Sequence, residues 1–465
     1  MRRALVLWLV LLGAYAATLG LPAAPGHDHS RPEVHRLLTI ASLADDGDVD
    51  LTNQYRDRAW RAFSTVPVRP AVGRSAGGIV EPQGLGYAVL AAPAYALGGA
   101  TAVQLAGAAL LALAFVLAAA LARRIVPEPW ATGGALLTGL SPPALAASTA
   151  IAPEAAAAAL LAGAAVLALR VRERPVGRWS AGCALLVALV PWLALPLFLP
   201  AAVIALALAR WLRRRQRGLS GFVALEVVLF SAVLFITVND RLYGTLLPSD
   251  ADLLGVPEPP DAHDILARTP RLLGVLIDQD AGLLRWAPVA ALAFCGVWLL
   301  WRSVRDRLAV AVADQVDVEV GAGLLALVGA AGLVAAALAR PLLHGPWLVV
   351  PDLVAVLPCV APLVAWGLRH ARRTGAVLGA LTLAASAWLL VGARLDPDAG
   401  LRPPTGALPW AGAEGLLPRF GDGGPGEVVA LSLAGAALVA LAAGGLLRAR
   451  RLHDGPAGAA GPPRS

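Results

Sequence analysis

The chain has 465 residues, of which 58% are hydrophobic and only 15% charged; an ordinary globular domain is roughly half apolar and a quarter charged. That balance excludes most soluble enzymes and points to a membrane protein. The formal net charge is +7, and every basic residue is Arg with no Lys at all, a bias that a GC-rich genome explains.

Apolar runs, most of about 18 to 22 residues and so able to cross a hydrocarbon core of about 30 Å as helices, recur along the whole length. They fall at 4–22, 100–122, 130–149, 154–170, 179–193, 195–211, 221–239, 284–301, 320–341, 346–367, 374–393 and 427–448. Ala14-Tyr15-Ala16 in the first run resembles a signal-peptidase site, but the run continues to Leu21, which favours a retained anchor. A long loop over 23–83 follows. Within it Val34, Leu37, Leu38, Ile40 and Leu43 recur at near-helical spacing, predicting an amphipathic helix over Glu33–Leu43 that lies at the interface. The piece 84–99 is apolar, short and broken by Pro93, and reads as re-entrant or interfacial rather than as a span. Two more long loops cover 240–283 and 394–426, and 452–465 is a Gly/Pro/Ala-rich tail expected to be disordered. The expected fold class is therefore an all-α polytopic membrane protein with about twelve transmembrane helices in one domain, 1–451.

Orientation follows from the arginines. Arg2/Arg3, Arg123/Arg124, Arg170 to Arg178, Arg210 to Arg217, Arg302 to Arg307, Arg369 to Arg373 and Arg448 to Arg451 all fall on one side of a twelve-span chain. The positive-inside rule makes that side cytoplasmic, with both termini there and the plasma membrane as the location. The three long loops are then outer, and the outer side together with the membrane carries more acids than arginines. The positive excess is thus an orientation signal suited to anionic lipid, and no nucleic-acid partner is implied. Cys183, Cys295 and Cys359 are far apart inside apolar runs, without metal-type spacing.

Several segments on the outer side stand in a recognisable order. RPEVHRLLTIASLADDGDVDLTNQY (31–55) is followed by GLGYAVLAAPAYALGG, by Pro153-Glu154 at the start of a span, and by NDRLYGTLLP over Asn239–Pro248. Then comes DQDAGLL over Asp278–Leu284 with Ala287-Pro288 behind it. Together they resemble the GT-C superfamily of membrane glycosyltransferases, which includes protein O-mannosyltransferases and lipid A aminoarabinose transferases. The resemblance implies a GT-C-like bundle whose first outer loop carries acidic catalytic chemistry. It also implies a sugar donor linked to a polyprenyl phosphate, and a glycan, lipid or protein acceptor in the cell envelope. Such chemistry needs a carboxylate to take the acceptor proton and positive charge to stabilise the departing phosphate.

Carried onto this chain, the family's Asp-Glu pair puts Glu33 on the Glu position and Pro32 on the Asp position, with Asp28 nearby as a substitute. Glu33 and Asp28 are accordingly the catalytic candidates. His35, Glu154, Asp278, Asp280 and Arg285 are the substrate-binding candidates, each weighed against a plainer role: a helix cap for Glu154, a packed histidine for His35, a polar interface for the Asp278 group. Ala194, Leu195 and Pro196 replace a His and Arg common in relatives, and Pro351-Asp352 stands where relatives carry Arg and Tyr. Glu226 and Asp352 are acids inside apolar runs, a position that is costly without a purpose. The acids Asp45, Asp46, Asp48 and Asp50 lack a closing Glu and read as a solvated turn. No tight ligand cluster is legible, so no metal is assigned and a divalent cation stays open. Two other readings compete with transfer: a GT-C scaffold that only binds a polyprenyl lipid, and a secondary transporter, for which no matching halves are visible.

Overall fold

The computed structural model describes residues 2–23, 27–70, 78–81, 83–214, 218–244, 262–307, 313–340, 342–345, 347–396, 400–401, 417–421 and 423–437. Among them the regular structure is helical, with no strand longer than an isolated bridge. The protein is an all-α polytopic membrane protein. Within the described residues, seven helices are long and apolar enough to cross a bilayer: α4 (Leu85–Ala122), α7 (Glu154–Glu173), α9 (Phe198–Arg214, extended back to Leu195 by a 3₁₀ turn), α10 (Gly218–Tyr243), α15 (Ala313–Val334), α16 (Pro351–His370) and α17 (Arg372–Leu395). Shorter apolar helices accompany them: α1 (Arg2–Ala16), α8 (Gly177–Leu193), α14 (Leu292–Arg307) and α18 (Pro425–Ala437). Two short helices, α3 (Thr52–Arg56) and α11 (Ala262–Ala267), belong to the first two long loops. The expected tail 452–465, the last arginine cluster and the end of the Asn239–Pro248 motif lie outside the described residues.

Prolines decide where the expected spans break. The run 130–149 is two helices, α5 (Trp130–Gly139) and α6 (Pro142–Ser148), because Pro142 and Pro143 supply no N–H to continue the first. The run 284–301 likewise splits into α13 (Leu283–Trp286), a 3₁₀ turn at Pro288–Ala291 and α14. Helix α16 begins only at Pro351, not at 346. The piece 84–99 is helical and runs into the next span, but Gly98 and Gly99 leave helical geometry, Gly99 at φ +62°, and bend α4 there.

Helix α16 is the centre of the bundle, buried along nearly its whole length. It packs on α4, α5, α7, α14 and α15. The approach is close because glycines line the contacts: a Cβ at Gly134 would stand 2.5 Å from the Ala365 Cβ, and one at Gly367 would run into the Leu292 carbonyl oxygen. Small residues permit such packing where lipid-facing surfaces give no hydrophobic gain from association.

Helix α2 (Arg31–Asp45) forms over the residues expected, started by Ser30 and Pro32. It does not lie on a surface with one face exposed. From Pro32 to Ser42 every side chain but Arg36 is buried, and the helix packs on α4. The apolar stripe faces α4, while Glu33 and His35 on other faces are covered by polar partners.

The helices also sort charge by end. Glu154 opens α7, and Arg170, Arg172 and Glu173 close it about 30 Å away, at 1.5 Å per residue. At the closing end Arg124 pairs with Glu173 at 2.7 Å and Arg172 with Asp317 at 2.6 Å, joining α4, α7 and α15. Asp352 opens α16 and Arg369 ends it. One end of the bundle is therefore arginine-rich, and the other holds the buried acids Glu154 and Asp352.

Candidate functional site

Three helices begin at one place. Glu33 in the first turn of α2, Glu154 at the start of α7 and Asp352 in the first turn of α16 each sit on the positive end of their own helix dipole. Arg340 ties two of them together. Its Nε donates to Asp352 Oδ2 at 2.6 Å, and its Nη2 donates to Asp352 Oδ1 at 3.2 Å and to Glu154 Oε1 at 3.4 Å. All three residues are at least 95% buried. The third acid joins through the backbone at Ile151: its N–H donates to Glu33 Oε1 at 3.0 Å, and its carbonyl accepts from Arg36 Nη1 at 3.2 Å. Arg36 and Arg340 both face Glu154 electrostatically, and the Tyr87 hydroxyl lies within the fields of Arg36, Glu154 and Glu33.

Arg340 reaches this point because α15 ends in a π-helical turn, Ala335–Ala339, immediately before it. Such turns are widened by one residue and recur at functional sites. A narrow recess of about 50 Å³ opens beside the cluster. Its walls are apolar, with Ala146, Ala150, Trp347, Val349 and Pro351 among them, and among the described residues Glu154 is the one ionisable side chain lining it.

The sequence candidates separate into four places. Glu33 and Glu154 share the cluster just described. Glu33 is, however, committed: besides Ile151, its Oε2 accepts from the Ser30 N–H at 2.7 Å and from the Ser30 hydroxyl at 2.5 Å. It serves as a capping carboxylate that binds α2 to the 150–154 segment. Asp28 is exposed on the chain before α2. His35 is fully buried, with Nδ1 2.7 Å from Glu81 Oε1 and 3.0 Å from the Tyr55 hydroxyl, and with Nε2 accepting from Arg31 at 3.5 Å. Tyr55 donates to the same Glu81 oxygen. Burial and the Glu81 charge keep that phenol protonated far above its usual range. This polar group fastens the end of the first long loop onto α2, helped by Gln83 Nε2, which donates to Thr39 Oγ1 at 2.6 Å.

Asp278 and Asp280, on the turn between α12 (Arg271–Ile277) and α13, and Arg285, within α13, form the fourth place. Asp278 is fully buried. Its Oδ1 accepts the N–H groups of Asp280 and Ala281, both at 2.8 Å, and His344 Nε2 at 3.0 Å, while Oδ2 accepts the Phe420 N–H at 2.8 Å. Burial opposes its charge, but His344 and those backbone donors outweigh it and hold the acid below its usual range. Asp280 pairs with Arg419, and Arg285 donates to the Asp280 carbonyl at 3.2 Å and stacks over Trp286. Among the described residues, Asp278, Asp280 and His344 are the group whose ligand atoms could hold a metal ion, all lying within 4.8 Å of one another.

Sequence reasoning missed Arg36, Arg340 and His344. A signal existed for Arg340, the one full charge between Glu319 and Asp352, since a buried acid at Asp352 demands a counter-charge. His344, a lone histidine 66 residues from Asp278, gave none.

No protein-family profile matches the chain, and no curated protein does. Among solved structures it is similar to ArnT from Cupriavidus metallidurans in the apo state, at 17% identity and a TM-score of 0.49, over 84% of this chain and 69% of that one. It is also similar to the same protein bound to undecaprenyl phosphate, at 14% identity and a TM-score of 0.48, over 88% and 75% of the two chains.

Proposed function

We propose that the chain is a membrane glycosyltransferase of the GT-C kind, moving a sugar from a polyprenyl-phosphate donor to a cell-envelope acceptor on the outer face of the plasma membrane. The observation that carries this reading is the convergence of three helix N-termini and two arginines around a buried carboxylate that lines a recess. Helix N-termini and guanidinium groups are what a phosphate monoanion or dianion is held by. The outer motifs from Arg31 to Pro288 support the same reading, and the arginine-rich opposite end supports a cytoplasmic position for it.

In this reading Glu154, not Glu33, takes the acceptor proton. The acceptor hydroxyl oxygen attacks the anomeric carbon, and the bond from that carbon to the phosphate oxygen breaks. The polyprenyl phosphate leaves with the electron pair, and the hydroxyl proton passes to the carboxylate. Displacement from the far side inverts the anomeric centre. Arg36 offers the charge that meets the leaving phosphate, while Arg340, clamped by Asp352, fixes Glu154.

The test is transfer from a radiolabelled polyprenyl-phosphate sugar in membranes holding the full chain. Glu154→Gln lowers turnover by about 10²-fold or more, the usual share of a general base, whereas Asp28→Asn leaves it unchanged. Wild-type turnover in Glu154→Gln sinks the assignment. A second reading is favoured by the full hydrogen-bond complement of Glu33 and by Pro32 on the family's Asp position. It is a scaffold that binds the polyprenyl lipid without transferring a sugar. Saturable lipid binding with no transfer to any envelope fraction would establish it.

A further inference from the structure

We propose that Asp278, Asp280 and His344 form a divalent transition-metal site, best matched to zinc, that ties the 278–282 turn to the loop following Arg340. The three candidate ligand atoms lie within 4.8 Å of one another and come from two segments far apart in sequence. Two carboxylates and an imidazole are a mixed oxygen and nitrogen set of the kind zinc takes with three protein ligands and a water. Calcium and magnesium prefer all-oxygen ligand sets, whereas an imidazole nitrogen suits zinc and its neighbours.

A second observation at this place points to a cation. Asp280 Oδ1 is shut off from solvent and has no hydrogen-bond partner. A carboxylate oxygen without water or donor is costly unless positive charge stands beside it. Arg419 Nε approaches the other oxygen, Oδ2, only to 3.5 Å, which leaves Oδ1 for a different partner. Arg285 is the remaining guanidinium here, and it is turned to the Asp280 carbonyl and to the Trp286 ring.

The first ligand is positioned before any ion arrives. Asp278 is held by the N–H groups of Asp280, Ala281 and Phe420, so its carboxylate cannot swing away. Gly282 lets the turn close this tightly, because a Cβ there would meet the Asp278 carbonyl oxygen at 2.5 Å. His344 Nε2 now shares a proton with Asp278 Oδ1 at 3.0 Å. Metal binding would give that nitrogen's lone pair to the ion and release the proton to solvent. The side chains of His344 and Asp280 are 31% and 23% exposed, so an ion can enter and keep a water.

The test reads metal binding and melting alone, with no readout of glycosyl transfer. The full chain is purified in detergent, stripped with a chelator and titrated with Zn²⁺, with Mg²⁺ and Ca²⁺ in parallel. One equivalent of zinc binds and raises the melting temperature. Asp280→Asn and His344→Gln each weaken binding by at least about tenfold, no less than is lost when an outer-shell partner of a ligand is removed. Asp280→Asn keeps the backbone bonds of the turn and serves as the variant that folds without the metal ligand. Absence of saturable zinc binding overturns the proposal, as does equal zinc binding in both variants. Stoichiometric binding of magnesium or calcium in place of zinc overturns it as well.

Discussion

Replacing Arg340 by Met leaves the carboxylates of Glu154 and Asp352 buried without the guanidinium that joins them. The wild-type arrangement has one bidentate contact, at 2.6 and 3.2 Å, and one longer contact at 3.4 Å, between side chains no more than 5% exposed. Removing one partner of a buried ion pair costs about 3–5 kcal/mol, because the charge left behind is uncompensated. Arg340→Met is therefore expected to lose that much. Arg340→Lys keeps a charge but not the fork, and should lose about 1.5–3 kcal/mol, the worth of one charged hydrogen bond. Adding Asp352→Asn to Arg340→Met removes one of the two orphaned charges and recovers at least about 1 kcal/mol, as neighbouring sites couple. The measurement is SDS titration of the detergent-solubilised chain, followed by the fluorescence of its 13 tryptophans. If Arg340→Met stays within about 1 kcal/mol of wild type, or the second substitution restores nothing, then the triad does not carry the load assigned to it here.

Glu33→Gln puts an amide where three donors converge on a carboxylate, so one buried N–H or O–H loses its acceptor; the expected cost is about 1–3 kcal/mol in the same titration. Gly134→Ala drives a methyl to within 2.7 Å of the Ala365 Cα and should cost about 1–3 kcal/mol, with Ala365→Gly restoring part of the loss. Asp50 provides the pH prediction. Its carboxylate is held below the ordinary 3.8 first by the Thr52 hydroxyl, and also by the N–H groups of Ile79 and Thr52. A folded value below the unfolded one contributes stability that is complete above the unfolded value and disappears as pH falls through the folded one. Hydrogen exchange at the Ile79 amide should therefore quicken only below about pH 4, the ordinary carboxylate range, relative to the rest of the chain, and Asp50→Asn should abolish that acid step.

The sequence showed its helices well where lipid or core demanded apolar runs, and less well where backbone chemistry intervened. Pro142-Pro143 and Ala287-Pro288 were visible breaks inside runs long enough to span, and in both the proline prevailed over length. The apolar stripe of α2 predicted its helix correctly and its surroundings only in part. Periodicity reports which side chains avoid water, and it is silent on polar side chains that find partners across a packed interface. His35 meeting Glu81 and Tyr55 is such a case. The site was half legible for a related reason. Asp352 stood out as an acid inside an apolar run and Glu154 as an acid opening a span, but the residue that makes them one unit comes from the end of α15, and no local pattern announces a contact 186 residues away.

The π-helical turn before Arg340 is written in near-repetitive sequence, Ala-Ala-Ala-Leu-Ala. Three of those alanines are buried, so small side chains fit there, yet it is their number that sets where Arg340 emerges. Deleting one would let α15 close with regular α geometry, and each residue removed turns the chain beyond it by about 100°. Arg340 would then leave the helix on another side, away from both carboxylates, although no residue that touches them had been altered. At this position the protein stores information as a count, and comparisons of sequence that treat alanine stretches as filler would overlook the most damaging change available there.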